Sequence, residues 1–518
     1  MKKGLKACII ILTAFVVVCV VAAVVVASSH LCPPRGPWPN PPWCGENGIS
    51  MPQFPLPGNQ PAVGPVTEEL SVTVPYWTSG DVYLGLGENP TYLKLEKINE
   101  FTYQGTVTLE GGAEYYYSRG SLATKSTTTF KTTDFPGRMD AVVDWADSTK
   151  VISRPGFQKG ALFAGSKWNP DAPGMSDTID YNLDLAKSFG INWLVVDNMW
   201  FEFPDCSNPT EIKPFYVGDG VWPDTQGWSS PTKTDEQMKE LILKAKEKGF
   251  HIFLKPVVLT FAKGPDRNPP CHQNVSDWDT WFKDYTTFAV HFAQLAQDTG
   301  VDMYAFGTEL DIATDPDHFI GMGPTNPTER WRNIIKEIRK VYTGKLTFSV
   351  SCNVDPVKLD FPCVSADGVK FWDDLDYIGF EPYFPITTKP NPTASDIKEA
   401  FGNALDSPEI TGAKQISEKY HKPIVFTEIS PRSYHGSSQF QLEKPAGSQV
   451  DLEEQAAQME GIMQAVEERP WIMGMHFWSW TLLRPDENPK WELNDLNDPF
   501  NGKPAGQVLK KWYLKIGG

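Results

Sequence analysis

The chain has 518 residues, of which 41% are hydrophobic and 21% charged, a composition typical of a globular protein with more than one domain. Its 64 acidic and 47 basic side chains give a formal charge of −17, which argues against nucleic acid as a partner. The 18 Trp and 17 Tyr residues are more informative, because their flat faces either stack on sugar rings or fill a large core.

Residues 1–30 are predicted to be a signal anchor or a signal peptide. Three of the first six residues are Lys, and an uncharged run follows from Ala7 to Ala27. That run is long enough to span a bilayer, and its basic flank would stay in the cytoplasm. Uncleaved, the segment would hold the protein at the membrane; cleaved after Val25-Val26-Ala27, it would leave a secreted protein. Either way, we expect an extracellular location.

Residues 31–65 are predicted to form a semi-rigid linker, because they contain eleven prolines and little periodicity. Export favours disulfides among the cysteines that follow the N-terminal segment. Six such cysteines allow fifteen pairings. Two pairs are preferred because their members are close in sequence, and a third because its members fall in the loops after the second and third of the barrel strands predicted below. The favoured pairs are Cys32–Cys44, Cys206–Cys271 and Cys352–Cys363.

Residues 66–155 read as a small antiparallel β-sandwich, because short alternating strands are separated there by Gly, Asn and Asp turns. The predicted strands are Leu70–Val74, Val82–Leu86, Tyr92–Leu95, Tyr103–Leu109 and Glu114–Tyr117. The segments Thr73–Pro75, Val82–Gly85 and Tyr117–Ser121, with Arg138 and Trp145, resemble starch-binding-like and early-set immunoglobulin-like modules. The resemblance implies a domain that could bind carbohydrate or serve only as a spacer.

Residues 156–518 alternate apolar strand runs with amphipathic helices, a pattern that predicts an α/β fold, the (β/α)8 TIM barrel. The predicted strands are Ala161–Ala164, Trp193–Val196, His251–Lys255, Val301–Phe306, Leu346–Val350, Leu375–Phe380, Ile424–Thr427 and Ile472–Phe477. The clearest helices are Asp235–Lys248, Trp281–Gln297, Thr328–Tyr342 and Leu452–Glu468. The fifth helix, near Asp367–Trp372, is short.

Two of these strands end in the same pair of residues, Thr-Glu. Glu309 ends the fourth strand and Glu428 ends the seventh, so both are expected at the barrel mouth, where TIM-barrel chemistry lies. Alternation would turn Glu309 to the side of Ala305 and Gly307, and Glu428 to the side of Ile424 and Phe426. Two carboxylates about 5–5.5 Å apart are the arrangement for retaining glycoside hydrolysis.

Five short motifs make the region from Gly160 to Tyr513 similar to the (β/α)8 retaining glycosidases of clan A, and most similar to glycoside hydrolase family 113, the β-mannanases. They are Phe253–Pro256, Phe306–Leu310, Tyr377–Phe380 with Pro382–Pro385, Phe426–Ile429 and Phe477–Trp480. The resemblance implies Glu309 as acid/base and Glu428 as nucleophile. Thr308 replaces the Asn that many clan members carry before the acid, so mannan, glucomannan and β-glucan all stay open as substrates.

Nine further residues are predicted to bind substrate or support the carboxylates. Tyr383 could hydrogen-bond the nucleophile, Lys255 would need a carboxylate or a sugar hydroxyl if buried, and Glu381 is a rival carboxylate. At least one of Trp478 and Trp480, which close the eighth strand, should form the floor of the sugar subsite beside the cleaved bond. The full set is Lys255, Thr308, Glu381, Tyr383, Trp478 and Trp480, with Trp168, Asn198 and Trp200 as outer contacts.

The sequence therefore predicts an exported endo-β-1,4-glycosidase that acts on β-mannan or a related hemicellulose. An endo-β-1,4-glucanase of the same mechanism, a non-catalytic carbohydrate-binding barrel and a transglycosylase are the alternatives. The mechanism requires no cofactor, and no CxxC or HxxxH spacing indicates a metal site. A polysaccharide is the expected partner, with the membrane as a second one if the N-terminal segment is retained.

Overall fold

The computed structural model describes residues 65–132, 139–147, 152–163, 175–203, 211–216, 231–260, 275, 277–314, 323–352, 365–441, 444–482 and 496–517. All of these belong to one compact unit, Ala62–Gly518. The predicted signal segment, nearly all of the linker, and Trp168 lie outside the described residues. So do all the paired cysteines except Cys352, which is disulfide-bonded.

None of the described helices combines the length and apolar character that a membrane crossing needs.

Eight strands of the described chain close into a barrel in which every neighbouring pair is parallel, as the sequence predicts. The strands follow one another around the barrel in chain order. They are β1 (Gln158–Phe163), β2 (Trp193–Val196), β3 (His251–Leu254), β4 (Met303–Thr308), β5 (Lys345–Ser351), β6 (Ile378–Glu381), β7 (Ile424–Ile429) and β8 (Ile472–Trp480).

Helices cover the outside of this barrel between the strands. They are α1 (Met175–Ser188), α2 (Asp235–Glu247), α3 (Trp278–Thr299), α4 (Asp311–Thr314), α5 (Pro327–Val341), α6 (Ser365–Gly368), α7 (Ala394–Asp406), α8 (Ala413–Tyr420), α9 (Leu452–Glu467) and α10 (Pro504–Lys515). The predicted short fifth helix corresponds to α6, which has only four residues. A small sheet of Glu211–Lys213, Met199–Phe203 and Val257–Thr260 extends from the ends of β2 and β3.

Alternation along the strands separates an interior core from a shell of helices. Leu162, Val195, Phe253, Met303 and Val425, each from a different strand, pack on one another inside the barrel. Their sequence neighbours face outward and meet the helices. The strands are therefore buried on both faces, and for that reason they read as apolar runs in the sequence.

Two four-stranded sheets precede the barrel. One contains Glu96–Lys97, Thr102–Glu110, Pro65–Thr73 and Met139–Ala141, and the other contains Asn89–Lys94, Tyr83–Leu86, Glu114–Ser118 and Phe130–Lys131. Met139–Ala141 pairs in parallel with the first strand, which departs from the all-antiparallel expectation. The immunoglobulin-like identity of this region and its sugar binding stay predictions.

These sheets contact the barrel through its last helix. The Lys511 ammonium on α10 is buried, donates to the backbone oxygen of Val74, and lies 2.5 Å from the Glu460 carboxylate on α9. Lys515, also on α10, pairs with Asp144 and lies over the ring of Trp77, 3.8 Å from its centre. The contact therefore joins the sheet region to the side of the barrel through buried, paired charges, which are costly to separate.

Candidate active site

Glu428 lies near the end of β7, and a break in strand register turns it toward the barrel mouth. Ile424 and Phe426 face the helices, and the Phe426 ring lies 6.1 Å from that of Phe401 on α7. Strict alternation would send Glu428 outward with them, so the predicted shared face is wrong. The pairing of β7 with β8 is irregular between Phe426 and Ile429, and this irregularity re-aims the carboxylate.

Both oxygens of the Glu428 carboxylate receive a hydrogen bond. Lys255, which follows β3, donates to Oε1, and the Tyr383 hydroxyl, just after β6, donates to Oε2 at 2.8 Å. Burial raises the pKa of Tyr383, and the charges of Glu428 and Glu381 raise it further, so the phenol keeps its proton and acts as a donor. Glu428 is therefore held in place by one donor on each of its oxygens.

Lys255 is buried, and its Nζ also lies 2.8 Å from Oε1 of Glu381. Burial lowers the pKa of this ammonium, but the negative charges of Glu381 and Glu428 outweigh burial and raise it above its ordinary value. Lys255 is therefore a fixed positive charge between two carboxylates. The sequence prediction left open a carboxylate or a sugar hydroxyl as its partner, and the structure places carboxylates there.

Glu381, at the end of β6, is completely buried, so its predicted role as a substrate ligand is wrong. Burial raises its pKa well above the ordinary value; the charge of Lys255 opposes this, and those of Glu428 and Glu309 add to it. Glu381 therefore lies behind Lys255, within electrostatic range of both strand-end glutamates.

Glu309 directly follows β4 and has a left-handed backbone with φ of 52°. This conformation is uncommon for a residue with a side chain and costs about 1–2 kcal/mol. A register irregularity between Ala305 and Thr308 precedes it, and a side chain on Gly307 would strike the ring of Phe348. Phe348 packs against helix α5 through Trp331, so Gly307 faces the outer shell and does not share the inward side of Ala305 as alternation predicts.

The two strand-8 tryptophans have different environments. Trp478 is half-buried and packs against the interior cluster of the barrel, so it retains a face at the mouth. Trp480 is fully buried, stacks on Phe163 and donates from its indole nitrogen to Asn182 at 3.0 Å. The prediction of Trp480 as a substrate contact is therefore wrong, because its ring and its only donor are used in the core.

Two outer contacts predicted from the sequence are structural instead. The Asn198 side chain is buried, accepts from the backbone of Met199 and Lys233, and donates to the Lys233 carbonyl, so it fixes a loop. Trp200 packs on α3 against Phe288 and Phe292.

Thr308, which precedes Glu309, is half-buried, and its hydroxyl has no hydrogen-bond partner among the described residues. The role of Thr308 as a substrate contact stays a prediction. Trp168, outside the described residues, stays a prediction.

His476 on β8 was not singled out from the sequence. It lies inside the barrel, where its Nδ1 is 2.9 Å from the Phe426 carbonyl and Gly160 leaves room for its ring. Burial, together with the positive charge of Lys255, lowers its pKa to about 4, although the bond to Phe426 opposes the shift. A His two residues before Trp478, within an apolar strand, was the available signal.

A second cluster of ionisable groups lies away from these residues. His435, Asp451 and Glu454 bring donor atoms within 4.8 Å of one another, close enough for a metal ion. However, the Glu454 oxygens already accept from the backbone of Gly436 and from Ser438, and Asp451 caps helix α9. The cluster therefore serves to fix the loop after β7 on α9.

Replacing Tyr383 with Phe should lower kcat by about tenfold, because one neutral-to-charged hydrogen bond of roughly 1.5–3 kcal/mol is removed from Glu428. Steady-state kinetics measure kcat and KM for the variant and the wild type. An unchanged kcat would show that the phenol only packs.

The site as a whole offers a carboxylate on β7 with a donor on each oxygen, a second carboxylate after β4 and a half-exposed indole, all at the mouth of a parallel barrel. Such a pair can attack a carbon centre from one side and donate a proton to the group that leaves on the other.

Comparisons with known proteins agree with this arrangement. The sequence profile of Glycoside Hydrolase Family 113 matches residues 224–494, more than half of the chain. A solved GH113 β-1,4-mannanase is 22% identical, with a TM-score of 0.50, over 69% of this chain and 99% of that one. The GH113 β-mannanase AaManA from Alicyclobacillus acidocaldarius, solved in complex with ManMIm, is 21% identical, with a TM-score of 0.52, over 70% of this chain and 98% of that one. No curated protein sequence matches the chain significantly.

Proposed function

Because this chain belongs to glycoside hydrolase family 113, we propose that it is an exported, retaining endo-β-1,4-mannanase. The family makes it a glycoside hydrolase whose substrate is a polysaccharide. The solved family members named above are a β-1,4-mannanase and a β-mannanase, which supports mannan or glucomannan as the substrate. In our proposal Glu428 is the nucleophile and Glu309 is the acid/base.

The observation that carries this proposal is the pair of donors on Glu428. A nucleophilic carboxylate must be ionised when substrate arrives, and Lys255 and Tyr383 each donate to one of its oxygens. A carboxylate in a surface ion pair does not need such a pair of donors. The buried Glu454 is also hydrogen-bonded, but its donors belong to the loop that it fixes, whereas those of Glu428 come from the ends of β3 and β6.

The proposed reaction has two displacements. First, a Glu428 oxygen bonds to the anomeric carbon while the bond from that carbon to the glycosidic oxygen breaks, and Glu309 gives its proton to the leaving oxygen. Then Glu309, now a carboxylate, takes a proton from water as the water oxygen attacks the anomeric carbon and releases Glu428. The product keeps the β configuration because each step inverts it once.

A substrate panel tests the specificity. Purified enzyme is incubated with β-mannan, glucomannan, carboxymethylcellulose and xylan, and the reducing ends are measured. We expect the fastest release from the mannose-containing polymers, with oligosaccharides as early products. Faster release from carboxymethylcellulose would replace mannanase by glucanase, and no release from any polymer would support a non-catalytic binder.

The anomeric configuration of the first product tests the mechanism separately. Proton NMR during the first minutes should detect the β-anomer before mutarotation. An α-anomer as first product would exclude double displacement, whichever polymer is cleaved.

Export rests on the apolar run after the N-terminal lysines, and the disulfide of Cys352 supports it. In our proposal that run either anchors the enzyme or is cleaved. N-terminal sequencing of the enzyme from the culture medium and from the membrane fraction distinguishes these two forms. Recovery of the active enzyme only from the cytoplasm would contradict export.

A further inference from the structure

Lys255 is one positive charge shared by two acids of unequal exposure. The side chain of Glu381 is completely buried, whereas that of Glu428 is 15% exposed. Lys255 therefore has a closed side, occupied by Glu381, and an open side toward the mouth, occupied by Glu428. The inequality suggests different roles for the two partners.

A lysine with no other constraint fixes the position of a nucleophilic carboxylate poorly. Its charge is at the end of a flexible four-carbon chain, and many rotamers can place it. Lys255 is held from behind, because Glu381 Oε1 lies 2.8 Å from its Nζ and Thr427 donates to that same oxygen at 3.4 Å. Glu381 in turn has little freedom, since it ends β6 and its backbone oxygen accepts from Cys352.

We propose that Glu381 is a positioning residue for the hydrolysis: it accepts a hydrogen bond from Lys255 and so holds that ammonium against Oε1 of Glu428. The inference rests on the proposed function, because it takes Glu428 as the nucleophile. Glu381 does not touch the substrate; it acts only through Lys255.

Geometry and charge also indicate whether Glu381 is protonated or ionised when it holds Lys255. Its Oε2 has no hydrogen-bond partner among the described residues, and neither has Oγ of Ser351, its register partner on β5. Two ionised carboxylates on one ammonium would leave a buried net negative charge. Burial raises the pKa of Glu381, and a proton on its carboxyl would remove this net negative charge. The other ionisable groups around it are Glu309, Tyr383 and, beyond Lys255, His476.

Two variants of Glu381 test the role. Glu381→Gln keeps a neutral acceptor at the same place, so kcat should stay within about threefold of wild type. Glu381→Leu keeps the volume but removes the acceptor, and a displaced Lys255 should lower kcat by about 10²-fold. KM should stay nearly constant in both, since substrate does not reach Glu381.

The contrast between the two variants distinguishes positioning from a structural role. A merely structural defect would lower the melting temperature and the fraction of folded enzyme, whereas positioning predicts a lower kcat of the folded enzyme at nearly constant KM in Glu381→Leu and rescue by Glu381→Gln. Wild-type kcat in Glu381→Leu would overturn the proposal, and so would a Gln variant as slow as the Leu variant.

Glu460→Gln is the matched control. Glu460 is also completely buried and also bonded to a buried lysine, Lys511, but on the side of the barrel. This variant should lower the melting temperature and leave kcat and KM of the folded enzyme unchanged. Loss of kcat in Glu460→Gln equal to that in Glu381→Leu would overturn the proposal by showing a general effect of buried ion pairs.

Glu381→Asp covers the case in which the Leu variant does not fold. It keeps the carboxyl but withdraws it from Lys255 by one methylene, so kcat should fall at least about tenfold at nearly constant KM. Wild-type kinetics in Glu381→Asp would overturn the proposal. Failure of the underlying function is separate: in that case Glu428 variants keep their activity, whatever Glu381 does.

Discussion

Replacing Glu428 with Ala is expected to lower kcat on the polysaccharide by about 10⁴-fold or more, as loss of a covalent nucleophile typically does. The structural reason is that Glu428 is the carboxylate to which both Lys255 and Tyr383 donate. Its removal leaves a small space at the mouth, next to the anomeric carbon. Azide can enter such a space and attack in place of the carboxylate.

The configuration of the azide product identifies the role of Glu428. A single attack by azide on a β-linked aryl mannobioside should give the α-glycosyl azide, which NMR distinguishes from the β form. A β-azide from this variant would mean that Glu428 is the acid/base. Glu211→Ala is a suitable control, because Glu211 is exposed and pairs only with the nearby Lys213 among the described residues; its kcat should be unchanged.

The barrel could be predicted from the sequence because its strands are buried on both faces and therefore appear as apolar runs. The predicted ends of the helices and strands were less accurate. The helix predicted from Trp281 begins at Trp278, because Asp277 caps it by accepting from the backbone of Asp279 and Thr280. It continues to Thr299, where Gly300 adopts the left-handed conformation that ends it. Asp277 and Gly300 mark the two ends of this helix in the sequence. The prediction relied on apolar periodicity, which marks only the buried face of a helix and not its ends.

The position of each strand-end glutamate in the chain was predictable, but its direction was not. Alternation assumes a regular ladder, and both β4 and β7 lose register just before their glutamates. Such irregularities arise from pairing with the neighbouring strand and from contacts such as Gly307 against Phe348. These are tertiary contacts, and they are absent from the local sequence pattern.

The residues around the two glutamates were likewise predictable only in part. A lysine at a strand end requires a partner when it is buried, and that much follows from charge alone. Which carboxylate it meets depends on how β3, β6 and β7 are brought together around the barrel. Trp478 and Trp480 were equivalent in sequence, and only the packing of Phe163 and Asn182 on Trp480 separates them.

Replacing Glu309 with Ala is the second large effect, and its size should depend on the leaving group. On polysaccharide, kcat should fall by about 10²–10⁴-fold, because the sugar oxygen needs a proton to leave. A dinitrophenyl β-mannobioside needs no proton, so its first step should remain fast. The second step lacks its base, and the glycosyl-enzyme should accumulate, giving a burst of dinitrophenol. Azide, which needs no base, should restore turnover and give the β-glycosyl azide.

Two replacements at this position separate its chemistry from its backbone. Glu309 has a left-handed φ of 52°, which Ala retains at a cost and Gly adopts freely. Glu309→Gly and Glu309→Ala should therefore lose activity equally, while the Gly variant is more stable by roughly 1 kcal/mol. Chemical denaturation measures the difference. Because Glu309 itself carries this strain, the Gly variant should also exceed wild type in stability. Equal stability of the Glu309→Gly and Glu309→Ala variants would contradict this expectation. It would show that the backbone leaves the left-handed conformation once the carboxylate is removed, so that the glutamate side chain itself holds the strained turn.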